Sequence, residues 1–83
     1  MLSNRDRRIL DFESSWFQYP GPKDRAIRDY LDMSSSRYYQ ALRRLIDNED
    51  ALAYAPLTVR RLRRIRSERL GQIAERISEN SHA

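Results

Sequence analysis

The sequence predicts an all-α protein, a compact domain of four to five helices that continues into a long C-terminal helix. Three observations predict this class. Apolar residues recur every three or four positions along most of the chain, only two of its 83 residues are glycine, and a few prolines separate the segments. Because a chain of this length forms a single domain, we expect the domain to cover residues 3–70, with a helix extension and a flexible tail at residues 71–83.

The first helix is expected to begin at Ser3 or Asn4, because Ser3 and Asp6 have the spacing of a capping box. Its apolar stripe consists of Ile9, Leu10, Phe12, Trp16 and Phe17. Glu13 falls inside this apolar arc, so we expect it to pair with an arginine of a neighbouring helix. The sequence Tyr-Pro-Gly-Pro at residues 19–22 ends the helix.

The next two helices form a central pair. Pro22 suits the first turn of the second helix, whose buried face is expected to consist of Ala26, Ile27, Tyr30 and Leu31. Ser34 can cap the third helix, which runs to about Asp47. The third helix has an apolar back made by Tyr38, Ala41, Leu42, Leu45 and, at its edge, Ile46. Its other side carries serine, glutamine and arginine, with Tyr39 on the boundary.

Two further helices complete the predicted fold. Residues 48–54 form a short helix, and Pro56 begins the last helix, which runs to about Ser78. The first half of that helix is expected to pack through Val59, Leu62 and Ile65. Its second half has a separate apolar stripe, the candidate surface for a homodimer, at Leu70, Ile73 and Ile77.

The composition excludes several kinds of active site. The chain has no cysteine and a single histidine, His82, so a disulfide, a thiolate zinc site and a Cys- or His-based catalytic triad are excluded. We therefore expect no metal, no cofactor and no enzymatic activity, since the carboxylates have no base or nucleophile beside them. No stretch of 18 apolar residues is present, which predicts a cytoplasmic protein without a membrane partner.

Positive charge is concentrated in two helical blocks. The formal net charge is +4, and every basic residue except Lys23 is an arginine. Residues 34–46 carry a net +3 and residues 60–69 a net +5, so the rest of the chain sums to −4. Because arginine forks fit phosphates and base edges, this pattern predicts two local binding surfaces rather than a uniformly basic protein.

Residues 27–45 have the pattern of a helix-turn-helix, with a tight turn at residues 31–34. Two helices that cross at a wide angle need apolar contacts on both sides of such a turn, and the second helix can then enter a DNA major groove. Arg28 stands where a small residue is common, so its side chain is expected to extend outwards or to widen the crossing. Asp32 stands where glycine is common, and aspartate tolerates the left-handed backbone of such a turn.

The candidate DNA-binding residues come from both basic blocks. The outer face of the third helix has no acid before Asp47 and carries side chains that contact bases and phosphates: Ser34, Ser35, Ser36, Arg37, Tyr39, Gln40, Arg43 and Arg44. Its arginines and glutamine would read the groove, its serines would hold a phosphate, and Tyr39 would touch a sugar or a thymine methyl. The last helix has only Glu68 near four arginines that would contact phosphates: Arg60, Arg61, Arg63 and Arg64.

Beyond these motifs, roughly residues 5–70 resemble a family of small actinobacterial proteins of unknown function. The resemblance rests on residues 5–13 (Arg-Asp-Arg-Arg-Ile-Leu-Asp-Phe-Glu), on Trp16 and Gly-Pro-Lys at 21–23, and on several later positions. The later positions are Ala26, Ile27, Met33, Ser34, Asp47, Pro56, Leu57, Val59 and residues 61–64, and the most specific element is Arg37-Tyr38-Tyr39-Gln40. The resemblance implies an actinobacterial or actinophage source and a helix-turn-helix-like domain, and it implies no target.

Three interpretations of the chain follow. The leading one is a double-stranded DNA-binding protein, a nucleoid-associated transcriptional regulator that reads the major groove with helix 34–47 and contacts phosphates with helix 56–70. The second is an adaptor that docks on RNA polymerase, a sigma factor or another regulator through the same basic surfaces, since the fold alone does not decide function. The third concerns the last helix alone, whose arginines would only keep the helix soluble or pair with the acidic segment 47–50.

Overall fold

Within residues 1–81 the chain folds into five α-helices and no strand, so the all-α prediction is confirmed. The structure is a computed structural model that describes the backbone of residues 1–81 and the side chains of residues 1–68. The helices are α1 (Asn4–Ser15), α2 (Lys23–Leu31), α3 (Ser35–Ile46), α4 (Glu49–Tyr54) and α5 (Pro56–Ser81), and a 3-10 turn at Trp16–Gln18 follows α1.

Side-chain caps set the beginnings of three helices. The Ser3 hydroxyl accepts from the Asp6 amide at 3.0 Å, and the Asp6 carboxylate accepts from the Ser3 amide, which confirms the predicted capping box. Ser34 caps α3 by accepting from the Arg37 amide at 3.3 Å. Asn48 caps α4 in the same way, so the chain can turn between α3 and α4 over two residues.

The core lies where α1 crosses the other helices. α1 packs against α3, α4 and α5, and α2 packs against α3. The clustered buried apolar side chains come from all five helices and from Leu2, two residues before α1: Leu2, Ile9, Leu10, Phe12, Ala26, Ile27, Tyr38, Ala41, Leu42, Leu45, Ala51 and Val59. All positions expected to be buried in α3 are therefore buried, as are Ile9, Leu10 and Phe12 of the first stripe, while Trp16 is half-buried.

Three residues expected in the core are exposed instead. Phe17 is 66% exposed because the chain tightens from an α-helix to a 3-10 turn at Trp16, which rotates the next side chain away from the α1 stripe. Tyr30 lies at the surface, where its ring stacks on Tyr19 with the centroids 4.1 Å apart. Ile65 is exposed because it lies about 240° around α5 from the buried Val59.

The last helix has nearly the predicted length. α5 begins at Pro56, continues past residue 70 as the expected helix extension, and reaches Ser81, the last residue whose backbone the structure describes, where we expected an end at about Ser78. The homodimer stripe at Leu70, Ile73 and Ile77 lies outside the residues whose side chains the structure describes. Among the described residues, no helix combines the length and the apolar character needed to cross a bilayer.

Candidate nucleic-acid interface

The outer face of α3 carries long polar side chains that extend into solvent. We call Arg37, Gln40, Arg43 and Arg44 the α3 face, and all four are exposed, as predicted. None of their side chains makes a hydrogen bond or an ion pair within residues 1–68. Their donors are therefore available to a ligand as far as the described part of the chain is concerned.

The opposite side of α3 is locked into the core. Tyr38 and Ala41 are almost fully buried, and Leu42 and Leu45 are buried beside them. A helix packed in this way has little freedom to rotate about its axis, because rotation would expose the apolar side chains and bury the arginines. The packing therefore fixes which side chains form the α3 face.

A buried ion pair and a tyrosine hydroxyl connect α3 to α1 and α2. The Lys23 ammonium lies 2.8 Å from Glu13 Oε2 and 3.2 Å from Oε1, and the Tyr38 hydroxyl donates to the same Oε2. Glu13 is buried in the core. The expectation that Glu13 pairs with an arginine is therefore wrong, since its partner is the one lysine of the chain.

Aromatic rings surround the same ammonium. Lys23 Nζ lies 5.1 Å from the ring centroid of Trp16, 5.4 Å from that of Tyr38 and 5.3 Å from that of Tyr39. We call Glu13, Trp16, Lys23, Tyr38 and Tyr39 the Lys23 cluster. A compact ammonium fits such a site, because it forms hydrogen bonds with the carboxylate while the ring faces attract its charge.

The environment of Tyr38 keeps its hydroxyl protonated. Burial raises the pKa of Tyr38, and the hydrogen bond to Glu13 and the negative charge of that carboxylate raise it further. The phenol therefore stays a donor to Glu13 throughout the physiological range. Because Glu13 comes from α1, Lys23 from α2 and Tyr38 from α3, the cluster fixes the three helices relative to one another.

The turn between α2 and α3 has a left-handed residue at Asp32, the position where the helix-turn-helix pattern commonly has glycine. Asp32 adopts the left-handed conformation, with φ 53° and ψ 47°, and its amide donates to the Arg28 carbonyl at 3.1 Å. The Arg28 side chain is exposed, so of the two expected alternatives it extends outwards. Only Asp32, Met33 and Ser34 separate the two helices.

Two of the four arginines predicted to contact phosphates at the beginning of α5 are bonded to other helices of the fold. Arg61 Nη2 donates to the Glu13 carbonyl at 3.1 Å, and Arg63 Nε donates to the Ile46 carbonyl at 2.7 Å. These carbonyls lie in the last turns of α1 and α3, where the helix leaves them without an amide donor. Arg61 and Arg63 were predicted to contact phosphates, and the structure shows that their side chains also hold α5 against the ends of two helices.

Acidic residues that follow α3 form ion pairs with arginines of α5. Arg63 Nη2 lies 3.7 Å from Glu49, and Arg66 Nη1 lies 3.0 Å from Asp47. Arg64 pairs with Glu68 only at 4.0 Å, and Arg60 is exposed without a partner in the described residues. The interpretation in which arginines of the last helix pair with the acidic segment 47–50 is therefore confirmed for Arg63 and Arg66. The backbone carbonyls that bind Arg61 and Arg63 were not expected from the sequence.

The structure therefore separates the predicted site residues into groups. The α3 face and Ser36 are exposed together, Ser34 is used as a cap, and Ser35 is half-buried. Tyr39 is half-buried, with its ring against Lys23. Sequence reasoning missed the Lys23 cluster, although the lone lysine and an acid within an apolar stripe were its two signals. No group of three His, Cys, Asp or Glu side chains lies together among the described residues.

One comparison with known proteins gave a match. The family model described as a protein of unknown function, DUF3263, matches residues 1–72, so the chain belongs to this family. No curated protein and no solved structure matches the chain.

Proposed function

We propose that this member of a family of unknown function binds double-stranded DNA, with the α3 face in the major groove. The observation that carries the proposal is the contrast between the two basic blocks. Arg61, Arg63 and Arg66 of α5 have partners in the fold, whereas no side chain of the α3 face has one within residues 1–68. An α-helix fits the major groove, and arginine and glutamine are the side chains that read guanine and adenine there.

The arrangement of α2 and α3 supports the same proposal. Two helices joined by three residues, with the second one packed by its apolar back, resemble a helix-turn-helix unit. In such a unit the second helix enters the groove, and its early residues reach base edges. We propose that Arg37 and Gln40 contact bases and that Arg43 and Arg44 contact bases or the adjoining phosphates.

The last helix has a smaller part in this proposal than in the sequence-based prediction. Arg60 and Arg64 are exposed and are proposed to contact phosphates. Arg61 and Arg63 stabilise the domain through the carbonyls of Glu13 and Ile46. A regulator of transcription at the nucleoid is the role that fits a small DNA-binding module, and a dimer would extend its short binding site.

A pair of double variants tests the proposal. In Arg43→Ala/Arg44→Ala, binding to duplex DNA at low salt should weaken by at least about tenfold, because two groove contacts are lost. The matched control is Arg25→Ala/Arg28→Ala, which removes the same charge from exposed positions of α2. Fluorescence anisotropy with labelled duplex measures both.

The α2 double variant shows whether weaker DNA binding is specific to the α3 face or follows from any loss of positive charge. We expect the α2 double variant to bind within about threefold of the unchanged protein when the measurement is repeated at about 0.1 M salt, where surface charges more than about 10 Å from the DNA are largely screened. Equal losses in both variants, or no loss in the α3 variant, would contradict the proposal. In the second case an adaptor that docks on RNA polymerase or a sigma factor becomes the better interpretation of the α3 face.

A further inference from the structure

A groove of about 540 Å³ lies between the beginning of α1 and the turn that leads into α3. Three arginines and one aspartate are the charged residues of its lining: Arg5, Arg8, Arg37 and Asp32. Arg37 also belongs to the α3 face, so the groove adjoins the proposed DNA surface. The sequence analysis gave no role to Arg5 or Arg8.

The three arginines differ in how they are held. Arg8 Nη2 donates to the Tyr30 carbonyl at 2.9 Å, which positions its guanidinium while leaving its other donors available. Arg5 and Arg37 are exposed, and neither side chain has a partner within residues 1–68. Arg7, on the same stretch of α1, bonds instead to the Leu2 carbonyl and does not line the groove.

The rest of the lining is largely apolar. Ile9 is buried, Leu31 and Met33 are half-buried, and Ser34 completes the wall. Charges beside an apolar surface attract an anion more strongly than charges surrounded by water. Guanidinium groups bind phosphate oxygens through two parallel hydrogen bonds, which makes phosphate the anion that suits this lining.

We propose that the groove lined by Arg5, Arg8 and Arg37 binds a phosphate group. The source we favour is a phosphodiester of the DNA strand beside the α3 face, and this form of the proposal rests on the proposed function. A free phosphorylated small molecule offers the same chemistry. The binding surface then extends from α3 to the first turns of α1.

The salt dependence of DNA binding tests the proposal in the full chain. Arg5→Ala should make the negative slope of log K against log salt shallower by about 0.9, the value for one phosphate contact, and should weaken binding to unrelated duplex sequences to a similar extent. Arg25→Ala, which removes an exposed arginine of α2, is the control and should leave the slope unchanged. An unchanged slope in Arg5→Ala, or equal changes in both variants, would overturn the DNA form of the proposal even if the α3 double variant binds DNA poorly.

A titration with pyrophosphate tests whether the groove binds phosphate in the absence of DNA. Without DNA, pyrophosphate should shift the side-chain Nε–Hε resonances of Arg5, Arg8 and Arg37 but leave that of Arg25 in place. If the protein binds no duplex and these shifts occur, the proposed function is wrong and the groove takes a free phosphate. If pyrophosphate causes no such shifts and the salt slope is unchanged, the phosphate proposal is overturned in both forms.

Discussion

At the scale of single residues, Glu13 and Lys23 decide how α3 is held. A buried carboxylate is costly unless it is paired and hydrogen-bonded, and Glu13 receives both an ammonium and the Tyr38 hydroxyl. Lys23 in turn lies among three rings. The cluster therefore satisfies every charge that it buries while joining three helices.

Removing the Tyr38 hydroxyl should destabilise the domain. In Tyr38→Phe a buried carboxylate loses a donor, and we expect the free energy of unfolding to fall by about 2 kcal/mol. Tyr54→Phe is the matched control, because its hydroxyl donates to Asp11 at the exposed surface and its loss should matter much less. Urea denaturation measures both, and equal effects would contradict a structural role for the buried bond.

Removing the ammonium should have a larger effect. Lys23→Met keeps an apolar stem of similar length but leaves the Glu13 carboxylate without its cation, so we expect a loss of about 3 kcal/mol. Arg25→Met, in an exposed pair with Asp29, is the control and should change stability little. If Glu13→Gln/Lys23→Met is no more stable than Lys23→Met alone, an unpaired carboxylate is not the cause of the loss.

At the scale of elements, the helices and their boundaries could be predicted because their signals are local. Ser3, Ser34 and Asn48 cap the helices that follow them. The end of α1 was predicted at residues 19–22, but the α-helix ends at Ser15 and a 3-10 turn continues to Gln18. Contacts across elements could not be predicted in the same way. The partners of Arg61 and Arg63 are backbone carbonyls, which every residue has and which a sequence pattern does not distinguish.

The same limit applied to the candidate site. The exposed side of α3 followed from its apolar period, so Arg37, Gln40, Arg43 and Arg44 were found from sequence. Arg5 and Arg8 were not, because the groove they share with Arg37 depends on where α1 crosses the α2–α3 turn. The rotation of Phe17 depends on a change of helix type that a uniform helical period does not include.

The turn between α2 and α3 provides a prediction at this scale. Asp32 lies at φ 53°, where glycine has no steric cost and alanine does. Asp32→Gly should therefore raise the free energy of unfolding by up to about 1 kcal/mol, and Asp32→Ala should lower it by about 1 kcal/mol. Thermal unfolding followed by circular dichroism measures the stability of the three proteins, which should decrease from glycine through aspartate to alanine at position 32. Any other order would mean that the left-handed backbone does not determine which residue is favoured there.

At the scale of the whole molecule, alkaline pH should destabilise the domain. The pKa of Tyr38 is raised above its usual 10.0, so the folded state keeps a proton that the unfolded state releases above pH 10. The unfolded state then binds fewer protons, and stability falls by up to about 1.4 kcal/mol for each pH unit from this one group. Tyr38→Phe should have a flatter profile between pH 9 and pH 11, and identical profiles would contradict this origin.

The basic residues of the molecule divide into those that hold helices together and those that remain at the surface. The fold uses Lys23, Arg61, Arg63 and Arg66 to hold helices together, and it leaves the α3 face and the neighbouring Arg5 at the surface. The modest net charge of +4 therefore says little about where an anionic partner would bind. We therefore expect an anionic partner to bind the side of the molecule formed by α3 and the first turns of α1, with phosphate contacts from Arg60 and Arg64 of α5.

A chemical-shift titration of the full chain with double-stranded DNA tests whether the α3 face binds DNA. At low salt, the resonances that move should belong to residues 34–44, with further shifts at Arg5 and Arg8 and at Arg60 and Arg64, and raising the salt should reverse the shifts. Resonances of α2 around Arg25 should stay in place. Shifts spread evenly over all arginines, or no shifts in residues 34–44, would contradict DNA binding by the α3 face.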